Sequence, residues 1–209
     1  MTVSLSDELL KIREEAKDLV EERFRQFKNL GLNGTEEELF SELSFCVLTA
    51  NWTAQGGIKA QKLIGKAGFI HLDEDELSKK LSELGHRFPK ARASYIIKNR
   101  KIIGQLKQLT TIDPFEAREW LVNNAIGIGY KEASHFLRNT GVEKLAILDR
   151  HVLSLMHRYN IIEEIPKTLT KKRYLIFERL LSFEAEKFGE SPGKFDLYLW
   201  FFVKKKVEK

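Results

Sequence analysis

The sequence has little cysteine and no long apolar run. Cys46 is the single cysteine among 209 residues, so an internal disulfide framework, a cysteine-rich zinc site and a cysteine-ligated iron–sulfur cluster are excluded. No apolar stretch approaches the ~18 residues that a membrane-spanning helix needs. Residues 1–24 carry charge throughout and do not resemble the apolar core of a secretory signal. We therefore expect a soluble, cytoplasmic protein.

Proline is also rare, with four residues in the chain, and apolar residues recur at helical spacing through long segments. The first helical stripe consists of Leu9, Ile12, Ala16, Leu19, Val20, Phe24 and Phe27. The glycines within 29–35 predict the end of that helix, and Thr35 with Glu38 forms the pattern of a capping box that opens the next. Further helices are predicted over 60–67, 77–84, 91–106 and 114–125, and one short strand-like run over 145–148. The pattern predicts an all-α fold.

Acidic residues are absent between Gly85 and Ile112, although this stretch is rich in cations. The cations are Arg87, Lys90, Arg92, Lys98, Arg100, Lys101 and Lys107. Most charge runs are solvated helix faces. The alternative is a surface that faces phosphates, because Lys and Arg gain affinity by releasing counterions from nucleic acid. The net charge of +5 is compatible with a polyanionic partner and does not decide between the two.

Two glycines, Gly127 and Gly129, separate a predicted helix that ends near Ala125 from one that begins directly afterwards. Glycines at this spacing allow a tight reversal of the chain. They also expose backbone N–H groups at a helix N-terminus, where the helix dipole favours a phosphate oxygen. An ordinary helix–helix turn is the alternative interpretation of the same pair.

Lys131 and Asp149 are the two candidate catalytic residues. Lys131 falls in the first turn of the second helix, where the dipole disfavours a cation. Residues that break a local rule often serve function, so Lys131 is a candidate amine nucleophile; a solvated lysine is the alternative. Asp149 follows the apolar run 145–148 at the N-cap of a predicted helix over 150–159. It is either a cap alone or a cap whose rigidly held carboxylate also takes part in chemistry.

The hairpin, Lys131 and Asp149 together resemble the helix-hairpin-helix superfamily of DNA base-excision glycosylases. A lysine just after the second hairpin glycine is similar to the members that combine base removal with strand cleavage. Residues 45–55 look like the start of the superfamily's other helical domain. The short length and the ending 196–209 are most similar to the compact prokaryotic 8-oxoguanine DNA glycosylase/lyases. The resemblance extends from about Phe40 to the C-terminus.

The resemblance implies two helical subdomains with the active site in the cleft between them. We expect residues 1–34 to form an N-terminal helix that packs on the C-terminal subdomain. Residues 35–112 would form the central helical subdomain, and residues 113–209 the helix-hairpin-helix catalytic subdomain. The family also implies a monomer that acts at the nucleoid of a prokaryotic cell.

The implied reaction begins with double-stranded DNA that contains an oxidised guanine, which must be flipped out of the stack. Lys131 would displace the damaged base and form a Schiff base with the sugar, while Asp149 would stabilise developing positive charge. β-Elimination then cleaves the strand. This route needs no metal or organic cofactor. Two other functions remain open, a non-catalytic helix-hairpin-helix DNA-binding module and a glycosylase for another damaged base.

Four residues are candidate DNA contacts. Gly127, Gly129 and Arg92 would contact the backbone, and Asn51 resembles part of the loop that fills the gap left by the flipped base. On residue type alone, Asn51 is equally consistent with a helix C-cap.

Three residues are candidates for the base pocket. Phe88 and Trp200 would stack on the base, and the free carboxylate of Lys209 would accept hydrogen bonds from the purine edge. Aromatic residues at helical spacing usually belong to the core, and this alternative applies to both rings.

Overall fold

The computed structural model describes residues 4–209, and α-helices form all the regular structure in that range except one 3₁₀ turn at Arg100–Ile102. The helices are α1 (Leu5–Leu10), α2 (Arg13–Asn33), α3 (Glu36–Thr49), α4 (Ala54–His71), α5 (Glu74–Glu83), α6 (Pro89–Asn99), α7 (Leu106–Leu109), α8 (Pro114–Asn124), α9 (Tyr130–Asn139), α10 (Arg150–Arg158), α11 (Lys171–Phe188) and α12 (Pro192–Lys204). The predicted all-α class is confirmed. Among the described residues, no helix is long and apolar enough to cross a membrane.

The chain divides into two compact units, which differ from the predicted domains. One unit is Phe27–Gly141, and the other combines residues 4–26 with Val142–Lys209. The predicted boundary at 112/113 is therefore corrected to 141/142, because α8 and α9 pack on each other and α9 packs on α3. The predicted boundary at 34/35 moves to 26/27, within α2.

Helix α3 is the centre of the Phe27–Gly141 unit and is buried along most of its length. The predicted capping box is confirmed, since the Thr35 hydroxyl accepts from the Glu38 amide and the Glu38 carboxylate accepts from the Thr35 amide. Buried Glu42 accepts from Asn139 Nδ2 of α9 at 2.6 Å and from Gln61 Nε2 of α4 at 3.1 Å. These bonds satisfy a carboxylate that burial would otherwise destabilise, and they fix the second hairpin helix on α3.

The predicted end of α2 within 29–35 is confirmed, at Gly34 and not at Gly31. Helix α2 continues to Asn33, and Gly31 lies inside it. A Cβ at Gly31 would lie 1.9 Å from the carbonyl oxygen of Thr140. Nearby, Gly141 has φ +90°, and a Cβ there would lie 2.7 Å from Lys28 Cα. Both glycines therefore mark the close approach of α2 to the end of α9.

In the second unit, the apolar segment 145–148 leads directly to Asp149. The segment is buried, and it belongs to no helix or sheet in the described residues. Two side chains of α11 take the place of a neighbouring strand. Tyr174 Oη donates to the Ala146 carbonyl at 2.8 Å, and Glu178 Oε1 accepts from the Ala146 amide at 3.0 Å. The strand-like pattern therefore does not form a β-strand in the described residues, and helix side chains bond the Ala146 backbone instead.

The N-terminal helix and α12 complete this unit. Helix α1 packs on α11, where the Ser6 amide donates to Glu184 Oε2 at 3.3 Å. Helix α12 buries Phe195 and Tyr198. Burial raises the pKa of the Tyr198 hydroxyl to about 12, as expected for a phenol in an apolar core.

Candidate active site and nucleic-acid interface

The hairpin between α8 and α9 requires glycine at position 127. Gly127 has φ +77°, a left-handed conformation that other residues rarely adopt. A Cβ there would also lie 2.5 Å from Cδ2 of Tyr95. Gly129 has a different role, because its φ is −98° and it is the N-cap of α9. Its amide donates to Glu132 Oε2 at 3.2 Å, so this expected phosphate donor is already engaged in the free protein.

One face of α6 supports both the hairpin and the turn after α3. Phe88, Arg92, Tyr95 and Asn99 follow one another at helical spacing and lie on the same side of the helix. Asn99 pairs with a single hairpin residue, Ile126: Asn99 Oδ1 accepts from the Ile126 amide at 2.7 Å, and Asn99 Nδ2 donates to the Ile126 carbonyl at 2.9 Å. Sequence analysis missed Asn99. Its only signal was an amide among apolar neighbours in the helix.

Lys131 lies in the first turn of α9, as predicted, with 22% of its side chain exposed. Its Nζ is 3.8 Å from Glu132 Oε1. Glu132 therefore contacts the ammonium with one oxygen and the Gly129 amide with the other. The Tyr130 hydroxyl donates to Glu119 of α8, which ties the start of α9 to the preceding helix. Sequence analysis missed Glu132, although a glutamate three residues after an N-cap is a capping signal.

Asp149 is the N-cap of α10, as predicted, and is half-buried. Its Oδ1 accepts from the Val152 amide at 2.8 Å. The capping bond uses only Oδ1, so the second carboxylate oxygen, Oδ2, does not take part in it. The buried segment before Asp149 and the helix after it hold the carboxylate rigidly within its unit.

A cavity of about 400 Å³ lies against α10 and α12 in the same unit as Asp149. Its lining residues are His151, Ser154, Leu155, Arg158, Phe202 and Val203. The Trp200 ring meets the His151 ring edge-on beside it, with centroids 5.8 Å apart. Trp200 is partly exposed between buried neighbours, so it is not a core residue. Sequence analysis missed His151, two residues after Asp149.

The C-terminal tail is folded back onto its own unit. Lys205 ends α12 in a left-handed conformation with φ +55°, and its Nζ lies 3.7 Å from Glu15 Oε2. The Val207 carbonyl accepts from Arg23 Nη2 of α2 at 3.4 Å. Lys209 is partly buried. The terminal carboxylate is therefore carried on an anchored segment.

Asn51 lies exposed in the turn between α3 and α4 and has φ +64°. Arg92, predicted as a DNA-backbone contact, supports this turn from inside the protein. It is 8% exposed, and its Nη2 donates to the Ala50 carbonyl at 2.7 Å. The prediction for Arg92 is therefore corrected, since a guanidinium buried on a helix-end carbonyl is not presented to DNA.

Phe88 is 42% exposed at the N-cap of α6, and Arg87 lies over its ring at 5.1 Å. Its amide donates to His86 Nδ1 at 3.0 Å. Within this unit, Phe88 shares its support with the Asn51 turn, since His86 also bonds the Leu48 carbonyl at 3.0 Å. Trp200 and Lys209 belong to the other unit.

Comparison with known proteins identifies the family. A family model described as 8-oxoguanine DNA glycosylase matches residues 20–190. The chain belongs to this family. The resemblance inferred from the hairpin, Lys131 and Asp149 is therefore confirmed at the family level.

Individual relatives match along nearly the whole chain. The 8-oxoguanine DNA glycosylase/AP lyase of Thermotoga maritima is 66% identical over 98% of this chain and 99% of the relative. The crystal structure of the Thermotoga maritima 8-oxoguanine DNA glycosylase has a TM-score of 0.96 and covers 98% of both chains. The Methanocaldococcus jannaschii 8-oxoguanine glycosylase/lyase, solved in complex with a 15mer DNA containing 8-oxoguanine, has a TM-score of 0.94 at 43% identity. It covers 98% of this chain and 99% of that chain.

Within this member of the family, the cation-rich stretch between Gly85 and Ile112 has two roles. Three of its seven cations bind carbonyls at helix C-termini, which lack intrahelical donors. Arg92 serves the end of α3. Arg100 donates to the carbonyls of Phe69 and Leu72 at the end of α4. Lys107 Nζ donates to carbonyls at the end of α2, namely those of Gly31, Leu32 and Gly34 at 2.9, 2.7 and 3.2 Å.

The other four cations of the run are exposed: Arg87, Lys90, Lys98 and Lys101. The stretch is therefore neither a uniformly solvated face nor a uniform phosphate surface. Cations that cap helices are interspersed along it with cations that face solvent.

The helix-end role of Lys107 predicts a stability difference. Lys107→Met should lower the free energy of unfolding by about 1–2 kcal/mol, because Met fills a similar volume but removes the donor to three carbonyls, of which that of Gly31 keeps the Thr110 hydroxyl at 3.3 Å. Lys101→Met is the matched control, and its effect should stay below about 0.5 kcal/mol because Lys101 is exposed. Urea unfolding of both variants measures the difference. Equal effects would show that Lys107 does not stabilise the end of α2.

Proposed function

We propose that this chain is a bifunctional DNA repair enzyme that flips 8-oxoguanine out of duplex DNA, excises it and cleaves the strand. The observation that carries the proposal is Lys131 in the first turn beyond the hairpin, in a chain that belongs to the 8-oxoguanine DNA glycosylase family. The relative solved with DNA containing 8-oxoguanine supports the substrate. The enzyme acts as a monomer at the nucleoid of a prokaryotic cell.

Lys131 and Asp149 are assigned the chemical steps. The neutral Lys131 amine attacks C1′ of the damaged nucleotide, and the base leaves with the electron pair of the broken C1′–N9 bond. The Asp149 carboxylate stabilises the positive charge that develops on the sugar. Loss of a proton from the attached amine and opening of the C1′–O4′ bond then give the Schiff base. The Schiff base acidifies C2′, and loss of a C2′ proton expels the 3′ phosphate. The route itself requires neither a metal ion nor an organic cofactor.

DNA binding is assigned to the hairpin and the exposed cations Arg87, Lys90, Lys98 and Lys101. Release of counterions by these cations would make binding fall as salt rises. Asn51 and Phe88 are assigned to the gap left by the flipped nucleotide. This assignment moves Phe88 out of the base pocket. Two observations support it: Phe88 is exposed, and His86 bonds both the Phe88 amide and the Leu48 carbonyl before the Asn51 turn.

The base pocket is assigned to the cavity between α10 and α12, with Trp200 stacking on the purine. The Lys209 carboxylate would accept hydrogen bonds from the N–H edge of the base. Support comes from the partly exposed Trp200 beside the cavity and from the anchored tail. A carboxylate on a fixed segment can select a purine by hydrogen bonding, whereas one on a frayed end would first have to be ordered.

Lys131→Gln should abolish strand cleavage and the covalent complex trapped by borohydride, while duplex binding is retained. Only a Schiff base is reduced to a permanent crosslink, and glutamine cannot form one. The measurement uses a duplex with one 8-oxoguanine. Lys167→Gln, at an exposed lysine, is the control and should behave like the unchanged protein. Trapping by the Lys131 variant at the normal rate would remove Lys131 as the nucleophile. Binding without any trapping by the unchanged protein would instead indicate a non-catalytic DNA-binding module.

Asp149→Asn should slow base excision by at least about 100-fold and leave the melting temperature nearly unchanged. Asparagine caps helices about as well as aspartate, but it lacks the negative charge that stabilises the sugar cation. Asp73→Asn is a matched control, because Asp73 caps α5 through a bond of the same length, 2.8 Å. Single-turnover excision and thermal unfolding are compared for both. A lower melting temperature with full activity would reduce Asp149 to a cap.

Deletion of 207–209 should reduce 8-oxoguanine excision roughly 10- to 150-fold. This is the loss expected when the base can no longer donate hydrogen bonds to the charged Lys209 carboxylate. Duplex binding should change little. A second variant with one glycine added after Lys209 keeps the bond from Arg23 to Val207 and displaces only the carboxylate. Single-turnover excision should fall in both. If only the deletion lowered the rate, loss of the Arg23 contact, not of the carboxylate, would explain it.

A further inference from the structure

His86 has a defined tautomer because both of its ring nitrogens are engaged. The residue is 4% exposed and lies just before α6. Its Nε2 is 3.0 Å from the Leu48 carbonyl oxygen, and its Nδ1 is 3.0 Å from the Phe88 amide nitrogen. A carbonyl can only accept and an amide N–H can only donate. Nε2 therefore carries the proton and Nδ1 is the acceptor, which makes the ring neutral.

A third contact links His86 to the same region. The Trp52 ring lies against the imidazole, with centroids 4.5 Å apart and planes inclined by 48°. Trp52 also packs against Gly56, where a Cβ would lie 2.6 Å from the indole. His86 therefore contacts the chain on both sides of Asn51, at Leu48 before it and at Trp52 directly after it.

We propose that His86 is a positioning residue that couples the Asn51 turn to Phe88, so that both enter the space left by the flipped nucleotide as one preformed unit. The proposal rests on the proposed function, in which Asn51 and Phe88 contact the duplex. His86 is buried and acts through these residues. Holding them in place before binding avoids the entropy loss of ordering two exposed side chains in the complex.

The charge state of His86 is part of the coupling. Burial lowers the pKa of His86 below its ordinary 6.5; the bond to Leu48 opposes this shift, and the positive charge of Arg92, which faces it from α6, adds to it. Arg87 is the charged neighbour on its own loop, and α3 and the 50–53 turn face it with the Leu48 carbonyl and the Trp52 ring. Because the folded-state pKa is depressed, the stabilisation is present above pH 6.5 and is lost as the pH falls through the folded-state pKa. A protonated Nδ1 cannot accept from Phe88.

Two substitutions separate the two bonds. The side-chain oxygen of His86→Asn lies near the position of Nδ1 and keeps an acceptor for Phe88. The amide nitrogen of His86→Gln lies near the position of Nε2 and keeps a donor for Leu48. If coupling requires both bonds, each variant should slow single-turnover excision of 8-oxoguanine roughly 10- to 100-fold, the loss expected from a small misplacement. His71→Gln, at an exposed histidine in the same unit, should have no effect.

The lyase reaction on a duplex with a preformed abasic site is the internal reference. An abasic nucleotide leaves no base to extrude, so this reaction should stay within about threefold in both His86 variants. A duplex with no base opposite the lesion should partly rescue their excision, because no base pair has to be broken before 8-oxoguanine is extruded. Unchanged excision in both variants, or an equal loss of both reactions, would overturn the coupling. Absence of lyase activity and trapping in the unchanged protein would instead refute the proposed function.

A double-mutant cycle of His86→Gln and Phe88→Ala tests the route of the effect, and it does not require the His86→Asn variant. If His86 acts through Phe88, the combined variant should excise about as slowly as Phe88→Ala alone. Multiplicative losses would show that the two residues act independently.

The pH dependence of stability gives a second readout. Between about pH 7.5 and pH 5.5 the unchanged protein should lose more stability than His86→Gln, and equal losses would contradict a neutral His86.

Discussion

The backbone conformation at Ile126 and Gly127 is the constraint on which the candidate active site depends. A left-handed glycine packed on the Tyr95 ring reverses the chain, and the Asn99 side chain holds the residue before it through both its donor and its acceptor. Helix α9 can then start at once, with Lys131 in its first turn. Because Tyr95 and Asn99 both belong to α6, the placement of Lys131 depends on a helix far from it in the sequence.

The same helix supports the other exposed turn of the unit. Arg92 holds the carbonyl before Asn51, and the loop at the start of α6 supplies His86 and Phe88. One helix thus supports two surface features. A rigid support for flexible segments is a general requirement of sites that must hold a distorted substrate, because the ordering entropy is then lost during folding.

Local signals explain which predictions succeeded. The all-α class followed from apolar spacing, the start of α3 from Thr35 and Glu38, and the cap at Asp149 from its position before a helix. Each depends on atoms within a few residues of one another. Lys131 was recognised in the same way, because a cation in the first turn of a helix is visible in the sequence. Family membership followed from this local arrangement, and its catalytic assignments remain proposals.

The sequence by itself determined the helices, their caps, the hairpin and the position of Lys131 within it, because these are set by short-range backbone preferences. Only the tertiary structure decided which cations are exposed. Arg92 and Lys101 look alike in the sequence, but an uncapped helix end lies beside Arg92 and solvent beside Lys101. The same holds for Gly31, which permits a helix contact, and for His86, whose two partners are a nearby amide and a distant carbonyl. Contacts between residues far apart in the chain leave no periodic or local pattern from which they could be predicted.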